Sequence, residues 1–150
     1  MANMFTSYEN NQIKNIPCEP FFPQEPKKGT KLITNVMGKV LGVQVEQANP
    51  LQLYFHLENL VELNTEEAWV ELLQGTTVFE ILTTTDKSVL SKEYQTVEIL
   101  DQYTNDLYIA LPREEMKKLK KETYAMKVIL KTATTEYEVF AKKDGYLIVR

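Results

Sequence analysis

From Leu32 onward, apolar and polar positions alternate along the chain. The cleanest stretch is 51–57. There Leu51, Leu53, Phe55 and Leu57 fall on one side, and Gln52, Tyr54 and His56 on the other. A period of two sends successive side chains to opposite faces, so this stretch predicts a half-buried strand with one wet face. Just before it, Leu41, Val43 and Val45 alternate with Gly42, Gln44 and Glu46, and Asn49-Pro50 supplies a turn. Further strands are expected at Ala68–Leu73, Thr77–Leu82, Thr96–Leu100 and Leu107–Leu111, with Gly75 marking the break between the first two.

The last third predicts a meander. Tyr124, Met126, Val128 and Leu130 share one face, Thr132–Thr135 turns the chain, and Tyr137 and Val139 resume the alternation. Lys142-Lys143-Asp144-Gly145 has the composition of a tight hairpin turn before a closing strand at Tyr146–Val149. One helix is expected, from Pro112 to about Lys121. Proline suits the first helical position, Glu114 and Glu115 lie in the first turn, and Lys118, Lys120 and Lys121 lie in the last. Many short strands separated by turn signals predict a mostly β domain, either a sandwich or a barrel.

Residues 1–29 break this pattern. Pro17, Pro20, Pro23 and Pro26 block both a helix interior and a central strand, yet Phe5, Tyr8, Phe21 and Phe22 are too apolar for a solvated linker. The expectation is an extended, proline-rich arm over 1–29 and a β domain over 30–150. The arm's aromatic residues would pack on its own domain or on a neighbour. Phe21 and Phe22 on the arm, and Tyr54 on the polar face of its strand, are the candidate interface residues.

The 150 residues suffice for a self-supporting core. A net charge of -4 disfavours contact with phosphate backbones, so no nucleic-acid partner is expected. No apolar run approaches the roughly 18 residues a membrane helix needs, and membrane insertion is not expected. The first residues lack a basic stretch followed by an apolar one. The expectation is therefore no signal peptide and assembly in the cytoplasm.

Candidate chemistry is sparse. His56 is the sole histidine, on the polar face of a regular strand, and no Gly-x-Ser-x-Gly turn is present to present a nucleophile. One cysteine, Cys18, cannot form an internal disulfide, and with one histidine it cannot supply a usual zinc ligand set. Glu62, Glu66, Glu67 and Glu71 follow no ligand pattern. The Asp101–Asp106 segment fails as a calcium loop, because Tyr103 and Pro112 occupy ligand positions. No catalytic residue, metal or cofactor is expected.

Several segments together carry a resemblance. They are Pro50–Phe55, Ala68–Leu72, Leu107–Pro112, Glu122–Leu130, Glu136–Phe140 and Asp144–Val149. Over about 48–149 the chain resembles the immunoglobulin-like domains at the start of upper baseplate proteins in tailed phages of Gram-positive hosts. Glu122-Thr123-Tyr124 stands where those domains place a Gly-x-Tyr entry. The resemblance implies an Ig-like antiparallel β-sandwich with one short helix. It also implies a non-enzymatic virion protein of the tail or baseplate, assembling with copies of itself and with other tail proteins. The alternative from the strand pattern alone is a β-barrel holding a small apolar ligand in a pocket lined by Phe55, Trp69 and Phe79.

Overall fold

The computed structural model describes residues 13–15, 18–21, 29–38, 40–57, 66–140 and 145–150, the first two stretches through their backbone alone. Two β-sheets face each other across a shared core, and the fold is a β-sandwich. The smaller sheet is antiparallel, in the order β2 (Cys18–Phe21), β5 (Leu51–Leu57), β9 (Asp106–Leu111) and β8 (Leu100–Asp101).

The larger sheet is built around β10 (Thr123–Lys131). One edge of β10 pairs from Tyr124 to Lys131 with β6 (Thr76–Thr83), which in turn pairs with β7 (Ser88–Gln95). The other edge is divided. Val128–Lys131 take β11 (Glu136–Phe140), and Thr123–Ala125 take β12 (Tyr146–Val149). Beyond β11 lies β1 (Ile13–Asn15), and beyond β12 lie β4 (Val40–Val45) and β3 (Thr30–Thr34). The β1–β11 and β4–β12 pairs are parallel, and the others are antiparallel.

Alternation decides which side chains enter the core. Leu51, Leu53, Phe55 and Leu57 of β5, Leu107, Ile109 and Leu111 of β9, and Tyr124, Met126, Val128 and Leu130 of β10 are all buried. The rings of Phe55 and Phe140, from opposite sheets, lie 5.2 Å apart at a tilt of 57°. Phe55 and Phe79 have no accessible surface, which leaves no water-sized void against either ring. The interior at these residues is packed solid, and Trp69 lies outside it, partly exposed on a helix. The pocket expected of a ligand-binding barrel does not form around these three residues.

Four sequence expectations need correction. Ala68–Leu73 is not a strand but most of helix α1 (Glu66–Leu73). Its Leu72 is buried, and Ala68, Trp69 and Leu73 pack against the core. Positions 69, 72 and 73 follow the i, i+3, i+4 spacing of one helix face, which explains why Trp69 is out of phase with a strand. Thr96–Ile99 is likewise a single helical turn, α2, rather than a strand. The third helix, α3 (Arg113–Met116), is shorter than the Pro112–Lys121 expected, so among the described residues three short helices stand where one was expected.

The fourth correction concerns the hairpin expected at 142–145. Residues 141–144 lie outside the described ones, but the flanking strands settle the pairing. Both β11 and β12 run antiparallel to β10, hence in the same direction, and cannot form a hairpin with each other.

Close backbone approach fixes one glycine. A Cβ on Gly75 would collide with the carbonyl oxygen of Lys131, the backbone of the adjacent strand. This contact lets the chain turn from α1 into β6 without lifting off β10.

Candidate functional site

The outward face of the smaller sheet carries the polar half of the alternation. Tyr54 of β5 and Tyr108 of β9 are directly paired in register, and their rings lie 4.7 Å apart at a 40° tilt. The backbone of Phe21 in β2 is registered opposite Tyr54 on its other side. Phe21, Tyr54 and Tyr108 thus occupy one cross-strand row. Of the sequence candidates, Tyr54 is half-buried, Phe21 is placed by its backbone, and Phe22 lies outside the described residues.

The next row along the same face is charged. Its backbone register runs Glu19, His56, Asp106, Asp101 across β2, β5, β9 and β8. His56 Nδ1 lies 2.7 Å from Asp106 Oδ1 on the surface, so the histidine is tied to a cross-strand carboxylate.

Helix α2 and strand β8 wall this face on one side and form a groove in two continuous lobes. One lobe, of about 390 Å³, runs between Tyr94, Glu98, Ile99, Tyr108 and Ala110. The other, of about 400 Å³, is lined by Tyr54, Glu98, Ile99, Asp101, Asp106 and Tyr108, among others. Glu98, Ile99 and Tyr108 belong to both. The floor is aromatic, the wall includes the half-buried Ile99, and the rim carries carboxylates. Among the described residues that line either lobe there is no lysine or arginine. Burial, and to a lesser extent the neighbouring Tyr54, raises the pKa of the Tyr108 phenol, which stays a neutral hydrogen-bonding group over the physiological range.

Two of these carboxylates are committed within the fold. Asp101 Oδ1 accepts hydrogen bonds from the backbone N–H of Tyr103 at 2.8 Å and of Thr104 at 3.4 Å, closing the turn into β9. Asn105 completes that turn at φ 62°, a conformation asparagine tolerates better than most residues. Asp106 holds His56. Glu98 is exposed on α2 and takes part in neither ion pair formed among the described residues.

The inner end of the groove shows how this fold handles a lysine. Lys92 Nζ sits 5.4 Å from the centre of the Tyr94 ring and 3.1 Å from Glu115 Oε1, while Tyr94 OH donates to the Ala110 carbonyl at 3.4 Å. These residues close the open edge of the sandwich between β7 and β9. Burial first, and then the Glu115 charge, push the Tyr94 phenol up to about 12.

Other candidates from the sequence do not assemble into a site. Glu66, Glu67 and Glu71 are exposed on α1, around an open depression with Val70, and Glu62 lies outside the described residues. Among the described residues no three His, Cys, Asp or Glu side chains converge to hold a metal ion. No helix among them is long and apolar enough to cross a membrane.

Tyr108 was missed as a candidate, although a signal existed. In Leu107–Leu111 it occupies the same out-of-core phase that singled out Tyr54.

No family model matches the sequence, and no curated protein matches it. Among solved structures, the sulfur carrier protein SoxY from Chlorobium limicola f thiosulfatophilum aligns over 99% of this chain and 96% of its own. The identity is 7% and the TM-score 0.32, too low to bear on either fold or function.

Proposed function

We propose that this chain is a non-enzymatic assembly protein, a structural component or adaptor of a phage tail or baseplate, and that it works through the outward face of its smaller sheet. The observation that carries the proposal is the Tyr54–Tyr108 pair beside a groove on a rigid sheet. Tyrosine offers a large contact area with a polar tip and loses little conformational freedom on binding, so it is enriched where proteins dock. A groove whose Asp101 and Asp106 are already bonded within the fold presents Glu98 as a recognition charge rather than a pair of converging catalytic acids. The virion assignment is supported by the resemblance of 48–149 to upper baseplate domains, which is an analogy of sequence pattern.

The test is incorporation into particles. The chain should be found by mass spectrometry in purified virions from the cells that make it, at a fixed ratio to the major tail protein. A Tyr54→Ser/Tyr108→Ser variant should fold, by circular dichroism, yet be depleted from those particles. Finding the chain only as free protein would overturn the virion assignment, and normal incorporation of the folded double variant would overturn the role of the tyrosine face.

A further inference from the structure

The acidic groove has a basic counterpart elsewhere on the same chain. Lys117, Lys118, Lys120 and Lys121 follow α3, and all four are exposed. A helix dipole acts only within about the last turn, and α3 ends at Met116, so Lys120 and Lys121 stand beyond its reach. The segment is nevertheless firmly held. Leu119 is fully buried, its carbonyl accepts from Gln47 Nε2 at 3.4 Å, and the Lys120 carbonyl accepts from Tyr124 OH at 3.0 Å. The lysines are therefore displayed from a backbone pinned on both sides of the turn.

We propose that the groove floored by Tyr54 and Tyr108 receives a lysine from this basic corner of a second copy of the chain. Three observations carry the proposal. Among the described residues the groove lining holds carboxylates and neither lysine nor arginine, and Glu98 projects from it outside any ion pair among them. The Lys92–Tyr94–Glu115 cluster beside it already places a lysine between a tyrosine ring and a carboxylate, and Tyr108 with Glu98 offers the same chemistry on the surface. The complementary charges are carried by different elements, the carboxylates of Glu98, Asp101 and Asp106 by α2, β8 and β9 and the lysines by the segment that follows α3. Contact between unlike surfaces is head-to-tail, and successive copies then form a ring if the rotation closes or a filament if it does not. This rests on the proposed role as an assembly protein and names one of its partners.

Light scattering of the full chain over a range of concentrations and salt tests it. Mass should rise with concentration and fall as salt is added. Glu98→Lys should weaken association by about tenfold or more, and so should Lys118→Glu/Lys120→Glu. Mixing the two variants should restore a dimer, because the intact groove of one meets the intact corner of the other. All substituted positions are exposed, and circular dichroism of each variant checks its fold. A wild-type chain that stays monomeric throughout would overturn the proposal, as would association that neither charge reversal disturbs. A monomer that instead binds a lysine-rich peptide in a Glu98-dependent way would overturn self-docking and assign the groove to another basic partner. Normal incorporation into virions alongside any of these failures would leave the assembly role standing.

Discussion

Thr77 Oγ1 and Thr96 Oγ1 lie 2.8 Å apart, with both side chains fully buried. One hydroxyl donates to the other. The bond ties α2 to β6, beside a backbone bond from the Thr96 N–H to the Gly75 carbonyl at 3.1 Å. Because α2 forms the wall of the groove, this pair sets where Glu98 and Ile99 stand.

Replacing either threonine by valine keeps the shape but strands the other hydroxyl in the core. Each single change should cost about 1–3 kcal/mol, and the double change Thr77→Val/Thr96→Val should be less destabilising than the two summed. Urea denaturation of the four proteins gives the cycle directly. Additive losses would show that the hydroxyls do not depend on each other.

The sandwich edge should behave as a coupled unit. Removing the cation with Lys92→Met leaves Glu115 facing a partly desolvated site, where its Oε2 is buried with no hydrogen-bond partner among the described residues. The expected cost is about 1–2 kcal/mol, with recovery in Lys92→Met/Glu115→Gln, which removes the stranded charge. Thermal melts of both variants check this, and a double variant no better than the single one would contradict it.

Stability should fall in alkali through Tyr94. Its folded pKa, about 12, lies above the ordinary value of 10, so the unfolded chain loses this proton first. The stabilising contribution is therefore complete below pH 10 and lost between 10 and 12. Tyr108 and Tyr124 are raised in the same direction, chiefly by burial, and add to the slope. Denaturation midpoints measured across pH 9 to 12 should decline, and Tyr94→Phe should make the decline shallower.

The arm's backbone pairs in cis with both sheets, β1 along β11 and β2 along β5. Deleting residues 1–21 bares the edges of β11 and β5 together. Unpaired edges lose ladder hydrogen bonds and invite pairing between molecules. The truncated chain should melt at a lower temperature than the full chain and show faster amide exchange in Leu51–Leu57 and Glu136–Phe140. Unchanged exchange in both strands would show that the arm contributes nothing to either sheet.

The alternation of Leu51–Leu57 and Leu107–Leu111 was legible in the sequence, because a strand with one face in the core writes its burial directly as a period of two. That was enough to separate Tyr54 from the core. Helix α1 was not recognised, because a short apolar run containing Trp69, Val70, Leu72 and Leu73 satisfies strand and helix templates alike. The burial of Leu72, with Trp69 and Leu73 packed on the core, separates the two only once the fold is known. The α2 turn was hidden for another reason: Thr96 is buried there by its bond to Thr77, a tertiary contact that overrides its strand propensity. The Phe21–Tyr54–Tyr108 row depends on the register of strands far apart in the chain, which no local pattern encodes. The Asp144-Gly145 signal misled because β10 offers the returning chain two successive places along one edge.

That divided edge also governs when the chain can fold. On that edge β1 waits for β11 and β4 for β12, as β6 waits for β10 on the other; β4 has β3 and β6 has β7 earlier, but each of these three strands gains one neighbour only from the last 28 residues of the sequence, from Thr123 onward. On the ribosome, most of this polypeptide must emerge before its larger sheet can close. Until then β4 and β6 lack those partners, a window in which a chaperone or a neighbouring nascent chain competes for them.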